Sequence, residues 1–184
     1  MSSLRIVVMG VAGSGKSTLG RILAERLDAT FLEGDDFQPP ANVNKMSRGI
    51  PLTDTDRWPW LEAIGTEIAA TATSGRNVVA ACSALKRSYR DFLRSIAGDD
   101  LVIVMLHGQR ELIASRLAGR VDHFMPASLL ESQLDALEWP DPDENPILAD
   151  IAQDPRIMTA DLISQVLRCP AQHGIFPSAV GQTR

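Results

Sequence analysis

The sequence predicts an α/β fold, a parallel sheet covered by helices on both faces, with a phosphate-binding loop at the end of its first strand. Near-continuous apolar runs, Leu4–Met9, Asn77–Ala81 and Leu101–Leu106, alternate with helical patterns, as strands buried on both faces do. The first run leads directly into Gly10-Val11-Ala12-Gly13-Ser14-Gly15-Lys16-Ser17-Thr18, which has the strand–G-x-x-x-x-G-K-[ST]–helix spacing. In sheets of this kind ligands bind at the carboxyl ends of the strands. Three motifs fall at such ends: the glycine-rich loop, Gly34-Asp35, and Cys82-Ser83-Ala84-Leu85-Lys86.

Each element has a local cause. After the loop, Leu19, Ile22, Leu23 and Leu27 recur at helical spacing. Thr30–Glu33 reads as a short second strand ending in Gly34-Asp35-Asp36. Pro39 and Pro40 open a helical segment through Val43 and Met46 that closes at Gly49. A longer helix starts near Asp54–Asp56, carries Trp60, Leu61, Ile64 and Ile68 on one face, and stops at Gly75. Lys86–Ile96 is a helix with Tyr89, Phe92, Leu93 and Ile96 inward, and Glu111–Leu117 is another. Gly119–Pro126 breaks the pattern before a helix resumes with Leu130, Leu134 and Leu137. An acidic, proline-rich loop, Asp141–Pro146, precedes a fifth strand over Ile147–Ile151, and Asp161–Leu167 is a last helix. From Cys169 the composition is that of a loosely attached tail.

With 184 residues, 45% of them hydrophobic and 22% charged, the chain has the composition of one soluble globular domain. Its formal net charge of −5 argues against a polynucleotide partner. No run approaches the length of a membrane span, and Met1-Ser2-Ser3 running into a strand leaves no room for a signal peptide. The two cysteines, Cys82 and Cys169, form neither a disulfide framework nor a C-x-x-C pair, and a reducing cytoplasm is expected.

The loop glycines let the backbone turn its N–H groups around an anion, and the following helix start adds donors and partial positive charge. Lys16 would reach the β/γ-phosphates of a nucleotide and Ser17 would offer its hydroxyl to Mg²⁺. A kinase acting on a small alcohol also needs a carboxylate beside the attacking hydroxyl and cations around the transferred group. Asp35 stands where that carboxylate would sit, or caps a helix; Glu33 approaches the metal shell, or ends a solvated strand. Lys45, Arg48 and Arg57 share an insert with Phe37, Trp58 and Trp60, a mixture that suits an anionic small substrate or a solvated helical cap. Of the run Lys86, Arg87, Arg90 and Arg94, Lys86 alone is placed by its position to face the site. Ser83 reads as a substrate contact rather than a nucleophile. Arg110, Arg116 and Arg120 flank the Gly119–Pro126 break, where a lid carrying arginines and His123 would exclude water.

These residues resemble the gluconokinases. Gly34-Asp35, Pro39, Asn42, Lys45-Met46, Gly49, Pro51-Leu52, Asp54, Asp56-Arg57 and Pro59-Trp60-Leu61 follow that family's pattern. So do Cys82–Lys86 with Tyr89-Arg90-Asp91, and His123-Phe124 with Leu130, Gln133 and Leu137. The resemblance covers roughly residues 4–168 and implies a P-loop kinase αβα sandwich, its five-stranded parallel sheet in order 2-3-1-4-5, with a helical lid. It divides the chain into a kinase domain, 1–168, with a substrate insert about 36–60 and a lid about 116–127, and a tail, 169–184. The implied reaction is ATP- and Mg²⁺-dependent phosphorylation of D-gluconate at its 6-hydroxyl, by a cytoplasmic homodimer; the alternatives are another small-metabolite kinase of the same, shikimate kinase-like fold and a nucleotide-binding module without transfer.

The implied roles are as follows. Lys16 and Asp35 are catalytic. Gly10, Ala12, Gly13, Ser14, Gly15, Lys16, Ser17 and Thr18, with Arg116 and Arg120, hold the nucleotide. Asp35, Lys45, Arg57, Ser83, Lys86, Arg90 and His123 contact the sugar acid, with Arg57 on its carboxylate. Ser17 and Glu33 are on the metal side. Two positions depart from the family: Gln38 stands where many members carry histidine, and Glu33 replaces an aspartate.

Overall fold

The computed structural model describes residues 3–119 and 128–168, without the side chains of Ser128 and Leu129. Arg120, His123, most of the expected lid and the tail 169–184 lie outside the described residues. In chain order the elements are β1 (Arg5–Met9), α1 (Lys16–Arg26), β2 (Ala29–Glu33), α2 (Pro40–Ser47), α3 (Asp54–Thr73), β3 (Asn77–Ala81) and α4 (Arg87–Ala97). They continue as β4 (Val102–His107), α5 (Arg110–Ala118), α6 (Ser128–Asp135), β5 (Ile147–Asp150) and α7 (Pro155–Arg168). The five strands form one sheet in order β2-β3-β1-β4-β5, and each neighbouring pair is parallel. The expected order holds.

Alternation along the strands divides the core into two layers. Ile6, Val8, Val104, Leu106 and Ala149 pack against Leu19 and Leu23 of α1, Ile113 and Leu117 of α5, and Leu162 and Val166 of α7. Val7, Met9, Val78, Ala80, Ile103 and Met105 pack against Leu61, Ile64 and Ile68 of α3 and Tyr89 and Leu93 of α4. Both faces of the central strands are dry, which is why those strands read as unbroken apolar runs. No helix among the described residues is long and apolar enough to cross a membrane.

Two elements differ from expectation. The last helix starts at Pro155, well before Asp161, because Asp154 caps it: its carboxylate accepts the N–H groups of Arg156 at 2.8 Å and Ile157 at 3.4 Å. Gly34–Phe37, for which no element was expected, forms a single 3₁₀ turn. The start of α3 is fixed by a reciprocal cap, in which Thr53 Oγ1 accepts the Asp56 N–H and the Asp56 carboxylate accepts the Thr53 N–H.

Candidate active site

Three strand ends open into one cleft. Ala12, Gly13, Gly15, Lys16 and Ser17 line it from the loop after β1, Glu33, Asp35 and Gln38 from the end of β2, and Ala81, Cys82 and Ser83 from the end of β3. Met46, Pro51, Leu52, Arg57 and Trp60 wall it from the insert, and Ser132 and Gln133 from α6. The sheet therefore brings together Lys16, Ser17, Glu33, Asp35, Arg57 and Ser83, six of the residues singled out in the sequence.

The loop's shape depends on its glycines. Gly10 and Gly13 have φ of 142° and 82°, and a Cβ on Gly13 would come within 2.9 Å of the Ile113 carbonyl oxygen. Inside the curl, the Val11 carbonyl accepts the Ser14 N–H at 3.2 Å and the Lys16 ammonium at 3.1 Å. The Gly10 N–H donates to the Ser83 carbonyl at 3.3 Å, tying the loop to the turn after β3. Ser14 is buried, so its expected part in nucleotide binding falls to its place in the loop rather than to an exposed side chain.

On the acceptor side, the position of Asp35 is set by its neighbours. Gly34 packs against the Ala81 carbonyl with no room for a Cβ. The Trp60 indole N–H donates to the Gly34 carbonyl at 2.7 Å, in a buried bond that holds α3 against the 3₁₀ turn. Asn42, also buried, bridges the Gln38 side chain at 3.0 Å and the Asp56 carbonyl at 2.8 Å. Arg57 leans over the Tyr89 ring, 5.6 Å from its centroid, with Nε and Nη2 each 3.4 Å from the Leu52 carbonyl. Tyr89 donates to Asp54 at 2.5 Å, and burial together with that carboxylate pushes its phenol pKa up.

Other expected contacts stand elsewhere. Arg90 is corrected from a substrate contact to an internal brace. It is wholly buried, pairs in two bonds with Glu144 at 2.6 and 2.8 Å, and donates to the carbonyls of Ala84, Leu85 and Glu138. Burial alone would raise the Glu144 pKa, yet Arg90, the Asp141 N–H and Arg94 bring it down to about 2. Lys86 is held by Asp54 at 2.8 Å and Lys45 by Asp56 at 2.7 Å, and neither lines the cleft. The Lys45 hydrogen bond, with those of Thr53, lowers the Asp56 pKa to about 2. Cys82 lines the cleft as an inert thiol, its pKa pushed up to about 12 by burial.

A second, more apolar pocket lies on the other flank of the loop, lined by Gly13, Gly15, Thr18, Ile22, Arg116, Ile151 and Met158 among others. Arg116 reaches it by donating to the Ile151 carbonyl at 2.9 Å. The two pockets share Gly13 and Gly15, so the loop is the partition between them. That is the arrangement a nucleotide needs, with phosphates wrapped by the loop and base and acceptor on opposite flanks.

Known proteins share this sequence pattern and fold. Residues 6–140 match the family described as an AAA domain. The chain is 49% identical over 160 residues to a gluconokinase of Gluconobacter oxydans, covering 86% of this chain and 88% of that protein. A gluconokinase structure from Sinorhizobium meliloti superposes with a TM-score of 0.80 at 47% identity, over 91% of this chain and 93% of that one. An unliganded sugar kinase structure from Janibacter superposes at 0.85 with 43% identity, over 92% and 97%. The chain belongs to the gluconokinase family.

Trp60 and Gln133 enter the sequence reading only as parts of the insert and of the family pattern, with no individual role. The tryptophan in an insert full of cations was a usable signal for the first. For Gln133 the link to the loop crosses 121 positions and exists only in the folded chain.

Proposed function

We propose that the chain transfers the γ-phosphoryl group of ATP to the 6-hydroxyl of D-gluconate, giving 6-phospho-D-gluconate and ADP. One observation carries the reading of the site: Lys16 and Ser17 of the loop face Asp35 and Arg57 across one cleft. Lys16 neutralises charge on the transferred group, and Asp35 accepts the proton of the attacking hydroxyl. The bond from that oxygen to phosphorus forms as the bond from phosphorus to the β,γ-bridging oxygen breaks. Arg57 pairs with the substrate carboxylate and so sets which end of the sugar acid meets the phosphate. Ser83 donates to a substrate hydroxyl, while Thr18 and Arg116 serve the nucleotide from the second pocket.

Among the described residues no cluster of three His, Cys, Asp or Glu side chains could hold a metal ion. That suits Mg²⁺, which keeps waters and phosphate oxygens and takes only one or two protein oxygens. The Ser17 hydroxyl and the Glu33 carboxylate, hard oxygen donors in the same cleft, would hold it, and it would neutralise charge on the phosphates. The chain is further expected to work in the cytoplasm as a homodimer and to bind no nucleic acid.

Coupled detection of ADP release with D-gluconate, shikimate and a nucleoside monophosphate as acceptors tests this reading. Turnover with gluconate alone is expected. Turnover with another acceptor and none with gluconate would replace the substrate, and hydrolysis indifferent to every acceptor would point to a nucleotide-binding module instead.

A further inference from the structure

We propose that Gln133 discriminates the triphosphate from the diphosphate nucleotide, by competing with the terminal phosphoryl group for the Ala12 N–H. The Gln133 side-chain oxygen accepts that N–H at 2.7 Å. Because the partner is an N–H donor, the amide must present its oxygen there. Ala12 is the third residue of the glycine-rich loop, and both residues line the cleft that contains Lys16, Asp35 and Ser83. A loop N–H directed into an anion cleft thus already has an acceptor, and that acceptor is neutral. A phosphoryl oxygen is charged, and hydrogen bonds to charged acceptors are roughly twice as strong as neutral ones. Ala12 lines the cleft with Asp35 and Arg57 but not the second pocket, so the phosphoryl group that reaches it is the one nearest the acceptor. An arriving γ-phosphoryl group therefore takes the Ala12 N–H from Gln133, and a nucleotide that ends at the β-phosphate does not.

Gln133 is well mounted for this. It sits half-buried on α6, which is anchored through Leu130, 3% exposed, and through Leu134, with Leu137 just past the helix also packed on the core. Just past that helix, the Glu138 N–H donates to the Leu85 carbonyl at 2.9 Å, and Arg90 donates to the Glu138 carbonyl at 3.0 Å. One short segment therefore touches the donor loop at one end and the acceptor-side turn, Ser83–Lys86, at the other.

The inference rests on the cleft being the transfer site, and its test separates the two. Calorimetry on the full chain, with MgADP and with the Mg²⁺ complex of β,γ-imido-ATP, compares wild type, Gln133→Ala and Gln133→Glu at pH 7.5. MgADP affinity is expected to stay within about twofold in all three. Removing the competitor in Gln133→Ala tightens the triphosphate analogue about threefold to tenfold. The carboxylate of Gln133→Glu holds the N–H more firmly and repels the phosphate, weakening the analogue about tenfold.

A merely structural role would move both nucleotides together, so a constant affinity ratio, or a shift of the same sign in both variants, overturns the inference and leaves the cleft reading intact. A wild-type chain that binds neither nucleotide overturns both. If either variant fails to fold, the Ala12 amide resonance of the wild type decides: it shifts with the triphosphate analogue and not with MgADP, and equal shifts refute the exchange.

Discussion

The phosphate loop and the insert that follows β2 line the same cleft but are held in place differently. The loop is fixed mainly by backbone, through positive-φ glycines, the Ser14 N–H on the Val11 carbonyl and the Gly10 N–H on the Ser83 carbonyl, with Lys16 and Gln133 adding one side-chain bond each. The insert is fixed by side chains that reach across sequence, Trp60 to Gly34, Asn42 to Asp56, Lys45 to Asp56 and Tyr89 to Asp54. A backbone-built site tolerates little variation and serves one ligand group, the phosphates. One built from side chains can be retuned residue by residue, as selecting among acceptors requires. Damage to the insert should therefore act on the acceptor while leaving the nucleotide alone.

The largest expected effect is on chemistry. Asp35→Asn keeps the size of the side chain and removes the proton acceptor, so kcat should fall about 10²- to 10⁴-fold. The KM for ATP should change less than about twofold. Steady-state kinetics with both substrates varied checks this, and an unchanged kcat would remove Asp35 from the mechanism.

Next in size is the brace beneath the turn after β3, which belongs to neither half. Glu144 titrates near 4.5 in the unfolded chain and at about 2 when folded. Its contribution is therefore complete above about pH 4.5 and is lost as pH falls through about 2, an amount on the order of 3 kcal/mol. Urea unfolding at pH 7, 5, 4 and 3 should show this fall in wild type and a much flatter profile in Glu144→Gln. Parallel profiles would mean that Glu144 is not the group responsible.

Arg57→Ala follows. Losing a charge-assisted contact to the substrate carboxylate should raise the KM for gluconate about 10- to 100-fold with little change in the KM for ATP. An unaltered gluconate KM would point to another carboxylate anchor and would weaken the division between the two halves.

How legible each half was follows from how it is built. The loop and the strand ends could be read directly, because a glycine spacing and an apolar strand are local and stay local on folding. Asp35 and Arg57 were legible by type and position. Arg90 was not: in sequence it sits in a cationic run on a strongly amphipathic helix, and only the fold reveals that Glu144 lies opposite it. The ion pairs of Lys45 and Lys86 were hidden for the same reason, since their carboxylate partners are 11 and 32 positions away. A charge's partner is a tertiary property, whereas a strand's burial is written in its own residues. The start of α7 is written in the Asp154-Pro155 pair, a capping signal rather than a periodic one.

The smallest effect is the sharpest test of the comparison. Trp60→Phe leaves a ring in a site where Trp60 is 3% exposed, so most of the packing survives. It deletes the indole N–H and leaves the buried Gly34 carbonyl without that donor, a loss of about 1–3 kcal/mol if nothing moves to satisfy it. The cheaper response is for the Gly34–Phe37 turn to shift, since it is one 3₁₀ turn rather than a strand held in a ladder. Asp35 sits in that turn, so the shift appears as a fall in kcat of about 5- to 10-fold and a modest rise in gluconate KM. Lys16 and the loop are held by bonds that do not involve Trp60, and the KM for ATP should stay within about twofold. If Trp60→Phe instead raised both KM values equally, the loop and the insert would be one mechanical unit, and the contrast between a backbone-built donor site and a side-chain-built acceptor site would fail.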